Sequence, residues 1–211
     1  MKRVVLAILL FCSCQFSSAQ EGKWAIGPHL TFSIPQAEFA NVSSLGEGIG
    51  GKLFYRFESM PVLEARLDII YLSYGEKRNR QSLAIGYFPV TVRNESFQFT
   101  AGPQFVTNIG RFRPYFAPMG GLYVYRSVMS SPELYYYYGI PASETTESYT
   151  NWGWNLSAGL MFDLTIGAHI DLGFKYQRIT NAVENQIGET KITSDAEDFI
   201  ITLGAVFFLN D

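Results

Sequence analysis

The residues with the most to offer chemically are four consecutive tyrosines, Tyr135, Tyr136, Tyr137 and Tyr138, and two isolated histidines, His29 and His169. Amphipathic rings in a row expose surface of the kind enriched at binding interfaces, so the tyrosines form a candidate interaction surface. The competing reading is that they prolong a strand or pack over neighbouring structure. The flank Ser143–Ser148 reads as solvated loop. A metal centre requires His, Cys, Asp or Glu clustered at ligand spacing, and the two histidines are far apart with no spaced partner. No phosphate-cradling glycine loop is present, because the glycines fall inside alternating segments. Neither a metal nor a cofactor is expected, and no catalytic residue is assigned.

The elements that position these residues begin after a leader. Lys2 and Arg3 form a basic start, Val4 to Cys14 an apolar run, and Ser17-Ser18-Ala19 a small-residue cleavage site. Residues 1–19 are therefore expected to be a signal peptide, with Gln20 as the mature N-terminus and residues 20–211 as one domain. Both cysteines, Cys12 and Cys14, lie inside the leader, so disulfide and thiolate chemistry are not expected of the mature chain. The alternative is lipoprotein processing at Cys14, for which Phe11-Cys12-Ser13 is a poor recognition sequence. A membrane-spanning helix needs about 20 apolar residues, and no stretch reaches that length.

Composition narrows the partners. A formal net charge of −3 lacks the basic footprint of a nucleic-acid binder. Charged residues make up 17% of the chain and aromatics 16%, whereas soluble domains carry roughly 25% charged residues. Something other than water is expected to face much of this surface.

After the leader the hydropathy alternates with a period of two, which predicts an all-β chain. Strands are expected over Gly22–Ile34, Gly46–Phe57, Pro61–Tyr74, Gln81–Arg93, Ser96–Ile109, Arg113–Val128, Trp152–Leu164, Ala168–Ile179 and Asp198–Leu209. In Pro61–Tyr74, Leu63, Ala65, Leu67, Ile69 and Tyr71 share one face, and Glu64, Arg66 and Asp68 the other. Trp152–Leu164 and Ala168–Ile179 alternate in the same way.

Alternation alone leaves the direction of each face open, since a soluble barrel buries its apolar face and a membrane barrel its polar one. Side-chain volume separates the two. The apolar face is rich in Phe, Tyr, Trp and Leu, which would overfill the lumen of a barrel of about eight strands, whereas the polar face mixes small residues with isolated charges. The apolar face is therefore expected to meet outer-membrane lipid, with Trp24, Tyr55, Tyr71, Trp154 and Tyr176 as interfacial girdles. Lys23, Lys52, Arg56, Arg66 and Lys175 share the lumen parity with Glu64, Asp68, Asp163 and Asp171. That balance predicts a lumen of paired side chains rather than a charge-selective pore.

Three connections are long and polar, Pro35–Leu45, Ser130–Thr150 and Thr180–Glu197, while Glu58–Pro61 and Thr165–Gly167 are tight. Long loops outside and short turns in the periplasm is the outer-membrane pattern. The path from Pro61 to Ser130 must then hold an odd number of spans, yet four strands are read there. Either Gln81–Arg93 or Ser96–Ile109 is not an independent span, or a further strand exists. The expectation is a closed, antiparallel, up-and-down transmembrane barrel of eight strands, with ten as the alternative.

Motifs support this reading. RFRPYFAPMGGLYVY from Arg111, NWGWNLSAGLMFDL from Asn151, AHIDLGFKYQRI from Ala168 and DFIITLGAVFFL from Asp198 resemble the outer-membrane β-barrel domain family of small OmpA- and OmpX-like barrels. The resemblance implies location in the bacterial outer membrane. It also implies recognition of the closing strand by the barrel-assembly machinery, although Leu209-Asn210-Asp211 after Phe208 departs from a terminal aromatic. A monomer with a structural or surface-interaction role is expected, with a narrow pore as the alternative. An enzyme acting on envelope lipid is a third reading, disfavoured because His29 is mid-strand and His169 lies beside a periplasmic turn.

Overall fold

The computed structural model describes residues 23–83, 86–130, 144–165, 167–187 and 190–209. The strands are β1 (Trp24–Gln36), β2 (Gly46–Arg56), β3 (Leu63–Tyr74), β4 (Lys77–Leu83), β5 (Gly86–Val106), β6 (Phe112–Ser130), β7 (Glu144–Thr165), β8 (Ala168–Ile187) and β9 (Thr190–Leu209). A four-residue helix, α1 (Phe39–Val42), lies between β1 and β2. Neighbouring strands are antiparallel and run in the order β3-β2-β1-β9-β8-β7-β6-β5, with β3 pairing β5 to close the ring.

The ring has eight members because β4 stands outside it. It pairs only with the beginning of β5, from Lys77 opposite Val92 to Leu83 opposite Gly86, and so continues the path of β3 beyond the ring. This resolves the parity conflict. The expected strand Gln81–Arg93 is not a span: it runs from the end of β4 into the start of β5, and residues 84–85 lie outside the described residues. Ser96–Ile109 is the true span, ending at Val106 within β5.

Pleating puts alternate residues on opposite faces, and burial follows it closely, as in β1, where His29, Thr31 and Ser33 are buried while Leu30, Phe32 and Ile34 are exposed. The outward face is the apolar one, as side-chain volume implies. Trp24 contacts Tyr55 near the short-turn end, with ring centroids 4.8 Å apart. Toward the other end Trp154, Tyr176 and Phe199 form a run of outward rings spaced 5.8 and 5.3 Å. Two short turns at the lower end use glycines in the left-handed region, Gly110 (φ 62°) and Gly167 (φ 83°), where other residues are strained.

Two of the three long connections are corrected. Ser130–Thr150 and Thr180–Glu197 are in large part strand, because β7 begins at Glu144, β8 runs to Ile187 and β9 starts at Thr190. A strand wetted on both faces needs no apolar alternation, so its polar sequence is indistinguishable by pattern from a loop. The third, Pro35–Leu45, holds α1.

The strands of this upper extension do not all stay joined. β6 and β7 pair from Phe112–Phe162 up to Ser130–Glu144, yet β7 and β8 pair only from Gly153–Ile179 downward. Above that level β8 turns away with β9, through an irregularity between Ile179 and Val183.

Candidate functional site

The tyrosines proposed as an interaction surface, Tyr135, Tyr136, Tyr137 and Tyr138, lie outside the described residues. Their flank is corrected: Glu144 to Ser148 belongs to β7 and is not loop. The polar chemistry that the structure does assemble is in the lumen.

Three tiers fill that lumen. At the upper mouth α1 places Phe39 inside the barrel, against the rings of Tyr74 (5.2 Å) and Tyr125 (5.6 Å). These pack with Ile70, Leu72, Tyr123, Ile179, Ala196 and Ile200 in a buried apolar cluster. A second cluster at the lower end joins Ala25, Phe54, Val106, Tyr115, Met161, Val206 and Phe208. Below it Arg56 and Arg113 stack on the Phe208 ring, at 4.4 and 5.4 Å.

Between the two clusters runs a network of charges. The Arg66 guanidinium donates to both oxygens of Asp68, at 2.7 and 2.8 Å, and Lys175 adds a third bond at 3.0 Å. Arg66 also donates to Gln104 at 2.9 Å, and Gln104 in turn to Glu64 at 2.9 Å. Arg56 closes that branch on Glu64 at 3.2 Å. A second branch pairs Lys52 with Asp171, which also accepts the Tyr115 hydroxyl at 2.9 Å. Nearer the upper mouth Asp198 accepts from Ser33, Tyr74 and Gln177. Burying such groups is tolerable only when they are paired, and these are paired across β2, β3, β5, β6, β8 and β9.

Most of the lumen residues read from parity take their places here, with two corrections. Lys23 is not in the lumen but at the lower rim, 3.1 Å from Glu58. Asp163 is a rim residue too, bonded to His169. Both lie where the strand meets a turn and parity loses its meaning.

Sequence reasoning missed the large inward side chains, Tyr74, Tyr115, Tyr123 and Tyr125. They fit an eight-stranded lumen because glycines face them: a Cβ on Gly159 would lie 2.4 Å from the Tyr115 hydroxyl, and one on Gly173 2.6 Å. The glycines on the inward parity of β7 and β8 were the available signal. Crowding relief, one of the roles read for the glycines, is the one met here.

Both histidines are buried. His29 sits mid-lumen with Nδ1 3.3 Å from the Gly27 carbonyl. His169 lies at the lower rim between Asp163 and Arg113. Among the described residues no group of three His, Cys, Asp or Glu side chains is placed to hold a metal ion.

A closed antiparallel ring with an apolar exterior and a packed polar interior defines an integral β-barrel of the outer-membrane type. The chain belongs to the outer membrane protein β-barrel domain family, whose model matches residues 4–207. No curated protein sequence matches it. Among solved structures it is similar to Ail, the attachment invasion locus protein of Yersinia pestis, determined in complex with the heparin analogue sucrose octasulfate. That likeness has 16% identity and a TM-score of 0.56, and covers 90% of this chain and 100% of that one. It is also similar to Neisserial surface protein A, at 14% identity and a TM-score of 0.54, covering 89% and 98%. At these identities the likeness is one of fold.

Proposed function

We propose that this chain is a monomeric, non-conducting barrel of the bacterial outer membrane whose role, structural or in surface recognition, is carried by the strands and loops above its apolar belt. In this reading residues 1–19 are removed on export, the barrel-assembly machinery inserts the chain, and lipid covers the apolar exterior. The observation that carries the proposal is the lumen, packed at both ends by apolar clusters and bridged between them by paired charges. Such an interior supports a wall rather than a channel. The strands continue beyond the outer girdle into a polar extension, which supports placing recognition there.

Planar-bilayer recording of the purified full chain tests the reading. It is expected to insert without discrete conductance, its folding verified by heat-modifiable migration on a denaturing gel. Reproducible single-channel steps from the folded protein would overturn it in favour of the narrow-pore alternative.

A further inference from the structure

Resting on that surface-recognition reading, we infer that the upper edge of β7, from Glu144 to Trp152, is a docking site for an extended, basic segment of a partner polypeptide, which adds to the sheet as a strand beside it.

Over these residues β7 is hydrogen-bonded to β6 on one side only, because its pairing with β8 stops at Gly153–Ile179. The split is built into the chain. Between the pairs Ile179–Ala196 and Val183–Ser194, β8 carries more residues than β9, and this bulge bends the β8–β9 hairpin away. At the fork the Thr180 hydroxyl donates to the Trp152 carbonyl at 3.1 Å. A side chain thus takes over where the main-chain ladder ends.

That bond also reveals which backbone groups face the gap. In an antiparallel strand the N–H and C=O of one residue point the same way, and the direction alternates along the chain. Since the Trp152 carbonyl faces β8, the main-chain groups of Thr150, Ser148 and Thr146 face the gap as well, and those of Asn151, Tyr149 and Glu147 face β6. All three gap-facing residues are exposed.

Natural sheets guard free edges with lysine, proline, bulges or very short strands. The segment Glu144–Trp152 contains no lysine and no proline, and its pairing with β6 runs unbroken from Ser130–Glu144 to Leu122–Trp152. It is rich in threonine and aromatic residues, which suit a strand. An edge that is long, regular and unguarded is a template for strand addition, and a polypeptide backbone is the ligand that satisfies it.

Charge specifies the partner further. The two walls of the fork, residues 144–152 and 180–187, carry Glu144, Glu147 and Glu184 and not one lysine or arginine. The nearby Arg178 is engaged by Asp195, at 3.0 and 2.7 Å. A lysine- or arginine-bearing strand complements this cleft, and an acidic one is repelled.

The test uses the full chain in detergent micelles and a fluorescent octapeptide of alternating lysine and threonine, with binding followed by anisotropy. Two comparisons isolate the ladder. Ser148→Pro removes an N–H that faces the gap and leaves the β6 ladder intact, so heat-modifiable migration is expected to persist while affinity falls at least about tenfold. The same octapeptide methylated on every backbone nitrogen keeps its charge and is expected to lose affinity by a similar factor. Glu144→Gln with Glu147→Gln is expected to weaken binding and flatten its salt dependence.

Equal binding of the methylated peptide, or an unchanged affinity in a folded Ser148→Pro variant, overturns the proposal. Two other occupants would overturn it as well. Binding that appears only after residues 131–143 are excised would show that the chain's own loop fills the edge. A wild-type dimer dissociated by Ser148→Pro would show that a second copy does. A silent barrel that ignores the peptide defeats this inference alone, whereas a conducting one defeats the sealed-barrel reading whatever the peptide does.

Discussion

Asp68→Ala is expected to destabilise the barrel by about 4 kcal/mol, close to the cost of breaking a buried ion pair. The carboxylate is buried on β3 and receives three charged hydrogen bonds, two from Arg66 and one from Lys175. Each such bond is worth about 1.5–3 kcal/mol, so their sum sets an upper bound of roughly 4.5–9 kcal/mol. Relaxation lowers this, because Gln104 remains bonded to Arg66 after truncation. Removing one partner of a buried pair typically costs about 3–5 kcal/mol, mostly from stranding the surviving charge. The assay is equilibrium urea unfolding in micelles, with the folded fraction read from the heat-modifiable band. If stranded charge is the cause, adding Arg66→Met and Lys175→Met to Asp68→Ala recovers most of the loss, since apolar replacement of buried ions is often neutral or better. A loss below about 1 kcal/mol, the range of solvent-exposed pairs, would refute the reasoning, because it would mean that water reaches the network. Failure of the triple variant to recover would locate the cost in packing rather than charge.

Three further outcomes follow from the same geometry. Gly173→Ala drives a methyl toward the Tyr115 hydroxyl and Thr202 Oγ1, at 2.6 and 2.5 Å. It is expected to cost about 1–3 kcal/mol in the same urea assay, and adding Tyr115→Phe should return part of that; no rescue would place the clash elsewhere. Trp24 and Trp154 face outward in the two girdles, so their fluorescence in vesicles is expected to be quenched by lipids brominated on the acyl chain near the headgroup. Unquenched tryptophans would argue against lipid at this surface. Intact mass of the chain recovered from outer membranes is expected to correspond to a start at Gln20, and a diacylated species starting at Cys14 would show lipoprotein processing instead.

How much of this was legible in the sequence depends on where each residue sits relative to the apolar layer. Within that layer one face must be apolar and the other polar, so Leu67 and Ile69 against Arg66 and Asp68 could be assigned to exterior and lumen by parity and volume. At the rims the constraint lapses. Lys23 and Asp163 share the lumen parity but pair with rim partners, because the backbone there is entering a turn. The large inward tyrosines escaped a rule that equated an eight-stranded lumen with small side chains. What admits them is the glycine on the neighbouring strand, a pairwise property that depends on register and is invisible to one-dimensional pattern. The ion network is similar: its members could be identified, but not that Lys175 reaches Asp68 while Lys52 reaches Asp171.

The least legible part is the one to which recognition is assigned, and the reason is physical. Outside the apolar layer both faces of a strand meet water, so Glu144–Trp152 shows no hydropathic period and resembles a loop until pairing with β6 reveals it as strand. What makes it a candidate site is not a side chain but a missing neighbour, and that depends on β8 leaving the ladder at Ile179. A free edge has no residue signature of its own; its trace in the sequence is the absence of lysine and proline where an idle edge would carry them. The packed lumen and the open fork are therefore complementary. The first removes the barrel's interior as a route or a binding cavity, and the second supplies unpaired main-chain groups at the end of the barrel that faces outward.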